Sequence, residues 1–311
     1  MEALLIQEID QKIDELDKTI ESIKDRQSPA DTLALSQARR SRKELLSLCS
    51  ELTPADRVYL ARHPRRPGTE DYLDALFTNF FEQRGDRLYR EDPGILGGIA
   101  LYKGKPVTVI GCRKGKNLQE HLACHFGMPC PEGYRKALRL MRSAEKFGRP
   151  IITFVDTPGA YPGMEAEENG QGEAIARNLA VMSQLKVPVI SVFIGEGGSG
   201  GALALGVGNR VIMLENAIYS VLSPEGFASI LWKDASRSRE ACDVMKLTAE
   251  DLKTLGVADT IIAEPPGGAH RNPRSVYDAL DVELNKTLNK LMRQNGQELA
   301  DDRYKKFRKI G

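Results

Sequence analysis

Residues 188–204, PVISVFIGEGGSGGALA, constrain the fold of this chain more than any other stretch. An apolar strand over 187–194 runs into five glycines within seven positions, and a helix of small residues follows over 202–205. Glycine loses more backbone entropy on folding than any other residue, so such a run makes sense where main chain must approach a ligand closely. A helix N-terminus leaves N–H groups unpaired and carries about half a positive charge. The pattern therefore predicts a site where backbone N–H groups hold an anion or a developing oxyanion.

Composition limits the class of protein. The chain has 311 residues, enough for one large domain or two small ones. Its 44 lysines and arginines nearly balance its 43 acidic residues, and the net charge of +1 argues against a general nucleic-acid binder. No apolar run reaches membrane-spanning length and no leader pattern is present, so a cytoplasmic protein is expected. Five cysteines, an odd number, predict reduced thiols rather than a disulfide framework.

The first 55 residues predict a helical hairpin. Isoleucine or leucine recurs at alternating spacings of three and four residues from Ile6 to Ile23, which is typical of a coiled-coil-like seam. A break at Gln27-Ser28-Pro29 precedes a second helical stretch over 33–52. Such a hairpin needs a surface to pack on, and either its own domain or another subunit could supply it.

Strands and helices alternate along the rest of the chain. Strands are predicted over 95–102, 106–112, 151–155, 189–194 and 211–214, the first two as a hairpin. Helices are predicted over 72–81, 131–147, 173–184, 200–207, 224–232, 237–245, 249–255 and 275–292. This alternation indicates an α/β protein with parallel strands and helical crossovers. The basic residues 304–310 are expected to fray.

A second motif, Asp156-Thr157-Pro158-Gly159-Ala160-Tyr161-Pro162-Gly163, directly follows the strand IITFV. Two prolines and two glycines fix the path of this loop. Ligands of open parallel sheets usually bind at the carboxyl ends of the strands, so this loop and the glycine run could meet in one cleft. The alternative is a rigid turn without a chemical role.

The glycine run has rival interpretations. Gly195-x-Gly197-x-x-Gly200, with Glu215 20 residues beyond Gly195, matches a dinucleotide-binding fingerprint. Against it, only ten residues separate Gly200 from Val211, which is short for a helix that must return along a sheet. An oxyanion site needs only a strand, a glycine turn and a short helix. Ser199 lies in a Gly-x-Ser-x-Gly spelling, but a serine hydrolase also needs a positioned histidine.

Two further sets of side chains have possible ligands. The residues Cys112, His121, Cys124, His125 and Cys130 include enough donors for zinc, but their spacing matches no zinc module, so no metal site is predicted. The basic segments 63–66 and 113–116 could meet phosphates of coenzyme A or of a carrier protein. The alternative for each segment is a solvated charged face.

Several long motifs together resemble a known family. GEGGSGGALA, DTPGAYPG, FGMPCPEGYRKALRLM and SVLSPEGFASILW are similar to segments of the carboxyltransferase alpha subunit of bacterial-type acetyl-CoA carboxylase. The resemblance implies a crotonase-like α/β fold, a spiral of ββα units, over residues 56–295. The N-terminal hairpin would then be a subunit contact, and 296–311 a basic tail. The family pattern has other residues where this chain has Cys112, Asn169 and Phe227, which affects the fine shape of the cleft.

The resemblance also implies a chemistry and a set of partners. The N–H groups of Gly200 and Gly201 would be the oxyanion donors toward carboxybiotin, and substrate would also meet Gly197, Gly198, Gly159 and Ala160. No cofactor would bind tightly, because carboxybiotin arrives on the biotin carboxyl carrier protein and acetyl-CoA is a substrate. A beta subunit would complete an α2β2 enzyme that works with biotin carboxylase and makes malonyl-CoA for fatty acid synthesis. A non-catalytic scaffold that docks the carrier, or a dinucleotide-dependent oxidoreductase, are the alternatives. On this assignment Gly201→Pro should abolish transfer.

Overall fold

The computed structural model describes residues 6–26 and 28–310. An eight-stranded sheet forms its centre, with the strand order β1-β2-β3-β4-β5-β6-β8 and with β7 paired to the end of β5. The strands are β1 (Thr78–Glu82), β2 (Ile95–Tyr102), β3 (Lys105–Cys112), β4 (Ile151–Thr157), β5 (Val189–Gly198), β6 (Arg210–Leu214), β7 (Ile218–Ser220) and β8 (Thr260–Ile262). The pairs β1–β2 and β2–β3 are antiparallel, and the other pairs are parallel.

Helices cover both faces of this sheet, so every residue of β4 and β5 is buried. The helices are α1 (Ile6–Ile23), α2 (Pro29–Ser47), α3 (Pro54–Ala61), α4 (Thr69–Leu76), α5 (Leu118–Ala123), α6 (Pro131–Lys146), α7 (Met164–Glu168), α8 (Gln171–Gln184), α9 (Ser199–Gly206), α10 (Pro224–Trp232), α11 (Ser238–Met245), α12 (Ala249–Thr254), α13 (Pro273–Leu291) and α14 (Gly296–Arg308). None of the described helices combines the length and the apolar character needed to cross a bilayer.

Two local predictions were wrong. The helix predicted over 72–81 ends at Leu76, and Thr78–Glu82 forms the edge strand β1 against β2. The residues 304–310 do not fray, because most of them belong to α14, which begins at an Asn295 capping box with Glu298. Arg303 anchors that helix: its side chain is buried and donates hydrogen bonds to the carbonyls of Met182 and Leu185.

The predicted hairpin consists of α1 and α2, although residues 1–5 and Gln27 of the predicted segment lie outside the described residues. Ile6, Ile9 and Ile13 of α1 pack in a small core with Leu60 of α3. Acidic residues of α1 add an ionic contact to the body of the protein, where Asp14 accepts two hydrogen bonds of 2.7 Å from Arg65. The hairpin therefore packs on its own chain. Its role as a subunit contact, like the boundaries at 55 and 295, stays a prediction.

A buried carboxylate on α1 joins the hairpin to two histidines. Asp10 accepts hydrogen bonds from His63 Nε2 at 3.0 Å, from His270 Nε2 at 3.2 Å and from Arg271. The two imidazole rings stack with their centroids 3.7 Å apart. Burial lowers the pKa of His270 below its ordinary value, although Asp10 acts in the opposite direction. Burial would raise the pKa of Asp10, but the two histidines and Arg271 hold it far below its ordinary value.

This cluster predicts that the free energy of unfolding falls on acidification. Because the folded-state pKa of His270 is depressed, the unfolded chain binds a proton near pH 6.5 that the folded chain does not. Stability is therefore expected to fall as the pH drops below about 6.5, and Asp10 adds a second loss below about pH 4. Urea unfolding at a series of pH values measures both losses. A His270→Asn variant whose stability falls just as steeply between pH 6.5 and 5 would contradict this assignment.

Candidate active site

The two glycine-containing loops predicted from the sequence meet at the carboxyl ends of β4 and β5. Thr157 pairs with Gly197 across the two strands. A Cβ atom on Gly198 would lie 1.9 Å from the carbonyl oxygen of Pro158, and one on Gly201 would lie 2.6 Å from the backbone nitrogen of Ala160. Neither position has room for a side chain. The close contact of the loops therefore depends on glycine at 198 and 201.

The N-terminus of α9 opens into this cleft region directly from β5, without an intervening loop. Ser199, its first residue, has a positive φ of 49°, a conformation that is uncommon for a residue other than glycine. Gly200 and Gly201 lie in the first turn of α9, where the helix itself provides no carbonyl four residues earlier as an acceptor for their N–H groups. These donors and the helix dipole together make a site for negative charge.

The predicted site residues come together, but their local structure differs from the prediction in one respect. The glycines from Gly195 to Gly198 do not form a loop; they extend β5, and Gly197 and Gly198 pair with β7. A dinucleotide fingerprint needs its glycines in the turn after the strand, so the structure does not support that alternative. Gly159 has a φ of 149°. Its carbonyl accepts a hydrogen bond from the Thr157 hydroxyl and its N–H group donates one to the same oxygen, and these two bonds fix the loop next to Gly198.

An apolar cavity of about 400 Å³ borders this helix N-terminus. Its lining consists of Ser199, Gly200, Leu203, Tyr219, Ser220, Val221, Leu252 and Val257. A Cβ atom on Gly200 would contact only the side chain of Ile175, at 3.5 Å, so this side of the helix is open. A ligand in the cavity would therefore lie beside the Gly200 backbone, among lining residues that include no charged side chain.

Four charged side chains that the sequence did not predict to meet form an ionic cluster at the ends of β4 and β5, next to the glycine run. Lys114 Nζ lies 2.6 Å from Asp156 and 3.0 Å from Glu196, and Arg62 Nε lies 2.6 Å from Glu196. Burial would lower the pKa of Lys114, but Asp156 and Glu196 hold it above its ordinary value. Burial would likewise raise the pKa of Glu196, whereas Lys114 and Arg62 hold it below. Lys114 lies in the basic segment 113–116 and Asp156 begins the second motif, but no local pattern indicates that these side chains meet Glu196.

The two basic segments line one cavity of about 460 Å³, as a joint phosphate site would require. Their cations, however, already have acidic partners on this chain. The pairs are Arg65 with Asp14, Arg66 with Glu264, Arg113 with Glu70, Lys114 with Asp156 and Lys116 with Asp71. A phosphate would therefore compete with these acidic partners, and a phosphate role for the two segments stays a prediction.

The cysteines and histidines of the possible zinc set do not converge. Within the described ranges, the single group of three side chains that could share a metal ion is Asp10, His63 and His270, which includes none of them. All five cysteines are buried free thiols, in agreement with the odd count. The Ser199 hydroxyl lacks a histidine partner: the hydrogen bonds of the four histidines join them to Asp10, to the Arg65 backbone N–H, to the Lys114 carbonyl and to Cys130.

The three residues that depart from the resembled pattern lie in different surroundings. Cys112 ends β3 beside the 460 Å³ cavity, and burial raises the pKa of its thiol to about 12. Asn169 caps α7 and borders a separate groove that contains Arg135 and Arg177. Phe227 packs edge-on against Trp232 within α10. None of the three lines the apolar cavity next to Gly200.

Comparisons with known proteins agree with this geometry. A family model described as acetyl co-enzyme A carboxylase carboxyltransferase-like matches residues 6–311. The acetyl-coenzyme A carboxylase carboxyl transferase subunit alpha of Geobacillus thermodenitrificans is 55% identical over 308 residues, 98% of this chain and 95% of that protein. The subunit of the same name from Anoxybacillus flavithermus is 61% identical over 262 residues, 84% and 81% of the two chains.

Solved structures of lower identity show the same fold. The transcarboxylase 12S structure has a TM-score of 0.58 and 17% identity, and the match covers 72% of this chain and 42% of that one. A Pseudomonas malonate decarboxylase hetero-tetramer in complex with coenzyme A has a TM-score of 0.57 and 16% identity, covering 68% and 84%. The predicted crotonase-like α/β fold is thereby confirmed.

Proposed function

Because the chain belongs to the family of acetyl-coenzyme A carboxylase carboxyltransferase alpha subunits, we propose that its glycine run is the carboxybiotin half of a shared active site. The chain is a carboxyl transferase of the alpha-subunit type. Together with a beta subunit, it transfers a carboxyl group to acetyl-CoA and so forms malonyl-CoA. In this proposal the backbone N–H groups of Gly200 and Gly201 stabilise the negative charge that develops during transfer.

The reaction requires stabilisation of negative charge at two places. Charge develops on the ureido oxygen of biotin as its carboxyl group leaves, and on the thioester oxygen as acetyl-CoA loses a proton. Preorganised N–H donors stabilise such charge without any nucleophilic side chain. In the alpha subunit, the N–H groups of Gly200 and Gly201 stabilise the charge on the ureido oxygen. The beta subunit supplies most of the contacts to the thioester oxygen.

Three observations support this assignment. The two N–H groups lie in the first turn of an eight-residue helix, where the helix itself provides no acceptor four residues earlier. The cavity beside Gly200 is apolar and is large enough for a bicyclic ring such as that of biotin. The loop with Gly159 and Ala160 approaches the backbone of Gly198 and Gly201 so closely that neither glycine has room for a side chain.

The remaining partners follow from the same chemistry. Carboxybiotin reaches the site on a biotin carboxyl carrier protein that biotin carboxylase has charged, and coenzyme A thioesters enter from the beta-subunit side. No cofactor is held permanently by this chain. We place the enzyme in the cytoplasm, in agreement with five free thiols and with a role in fatty acid synthesis.

The test is the reverse reaction, transfer of the carboxyl group from malonyl-CoA to free biocytin. It is run with this chain, with the beta subunit and with their mixture. Activity is expected only in the mixture, because each chain holds one half of the site. Full activity of either chain by itself would contradict a shared site. A stable complex without activity would instead favour the scaffold that docks the carrier.

A further inference from the structure

The ladder between β4 and β5 is interrupted immediately before the site. Val155 pairs with Phe193, and the next pair is Thr157 with Gly197. One residue on β4, Asp156, thus faces the three residues between Phe193 and Gly197 on β5. Regular backbone hydrogen bonds cannot hold the two strands together across such a bulge. The backbone of β7 pairs with β5 from Glu196 to Gly198, so what falls to side chains is the contact between β4 and β5 across the bulge.

Asp156 spans part of this interruption itself. Its Oδ1 atom accepts a hydrogen bond of 2.9 Å from the backbone N–H of Glu196. The carboxylate lies directly over Gly195, where a Cβ atom would come within 2.3 Å of Oδ1. Glycine at 195 is therefore what allows the aspartate to cross the bulge.

Lys114 completes the connection from a third element, the segment after β3. Its ammonium group contacts the carboxylates of both Asp156 and Glu196, and only 24% of its side chain is exposed. The two carboxylates are themselves 10% and 11% exposed. Without a cation between them, two nearly buried negative charges would lie within a few ångströms of each other and would repel. Lys114 is therefore the cation that bridges the carboxylates of β4 and β5, whereas Arg62 contacts only the Glu196 of this pair.

We propose that Lys114 is a positioning residue for carboxyl transfer, which sets the spacing of β4 and β5 and thereby aims the N–H groups of Gly200 and Gly201 at one acceptor. This inference rests on the proposed function of those two donors. Lys114 does not itself touch substrate, since its ammonium group is engaged by Asp156 and Glu196. A buried ion pair is often no more stabilising than an apolar replacement of similar size. The presence of Lys114 here is therefore better explained by the position in which it holds the two strands than by a gain in stability.

The test compares Lys114→Met with Lys116→Met, each assembled with the beta subunit. Lys116 is more exposed and pairs with Asp71. In reverse transfer from malonyl-CoA to biocytin, Lys114→Met is expected to lower kcat on the order of 10²-fold with an unchanged KM for malonyl-CoA. Lys116→Met should stay within about twofold of the wild type. Equal kcat values for the two variants would overturn the proposal.

A double variant, Lys114→Met with Glu196→Gln, separates positioning from general loss of folding. It removes the repulsion that Lys114→Met leaves behind, and the new amide can donate to Asp156. We expect it to regain about tenfold in kcat over Lys114→Met. If the double variant folds and assembles but is as slow as the single one, the positioning role is wrong.

The transfer rate of Gly200→Pro is measured alongside, because this variant tests the donor assignment directly. If Gly200→Pro slows transfer and Lys114→Met does not, only the positioning role fails. If Gly200→Pro leaves transfer unchanged, the donor assignment fails, and the positioning role that rests on it fails as well.

Discussion

Replacement of Gly200 by proline is expected to slow carboxyl transfer by about 10²-fold or more, because it removes one of the two oxyanion donors. Gly200 suits this test better than Gly201. A Cβ atom at 201 would come within 2.6 Å of the Ala160 nitrogen and 2.7 Å of the Tyr134 hydroxyl, so Gly201→Pro would displace a loop as well as remove an N–H group. A Cβ atom at 200 meets only Ile175, at 3.5 Å.

The matched control is Gly200→Ala, which adds the same Cβ atom but keeps the N–H group. It should retain most of the activity and bind the beta subunit like the wild type. Proline also restricts the residue before it, here Ser199, so the unfolding midpoint of each variant is measured alongside the rate. If the proline and alanine variants transfer the carboxyl group equally fast, Gly200 is not a donor.

Local patterns predicted most of the core elements. The strands predicted over 95–102, 106–112, 151–155 and 189–194 and the helix predicted over 131–147 carry strong apolar signals, and the structure has each of them with ends that differ by at most four residues. The edge strand β1 was mistaken for the end of a helix, because only its pairing with β2 decides between the two. The helix α14 was missed although its Asn295–Glu298 capping box is a local signal, because the basic residues that follow suggested a frayed tail. Arg303 fixes this helix through carbonyls more than 100 residues away in the sequence.

The backbone part of the candidate site could be predicted, and its side-chain support could not. Glycine spacing and the position after a strand are local signals, so the meeting of the Gly159 loop with Gly201 could be predicted, while the chemical role of these glycines stays a prediction. The partners of Lys114 lie 42 and 82 residues away along the chain, and a basic segment gives no sign of which acids it will meet. Such pairings depend on the register of the sheet, which single-sequence patterns do not specify.

Replacement of Arg66 by methionine is expected to lower the free energy of unfolding by about 3–5 kcal/mol, because it leaves a carboxylate buried without its cation. Arg66 and Glu264 form a two-point contact with N–O distances of 2.5 and 3.0 Å, and their side chains are 3% and 0% exposed. The same guanidinium donates to the carbonyl of Ile194, just before the glycine run. Urea unfolding of the wild type and of the variant measures the loss.

The control for this prediction is Arg65→Met, at the neighbouring arginine. The Arg65 side chain is 53% exposed beside Asp14, so this substitution should lower the free energy of unfolding by no more than about 1 kcal/mol.

The pH dependence of the stability loss distinguishes a lost ion pair from lost packing. Burial would raise the pKa of Glu264, and in the folded wild type Arg66 and Asn216 hold it below its ordinary value. Without Arg66 burial dominates, so the carboxyl group can take up a proton on mild acidification. The stability difference between Arg66→Met and the wild type should therefore shrink as the pH falls, whereas a packing defect would cost the same at every pH.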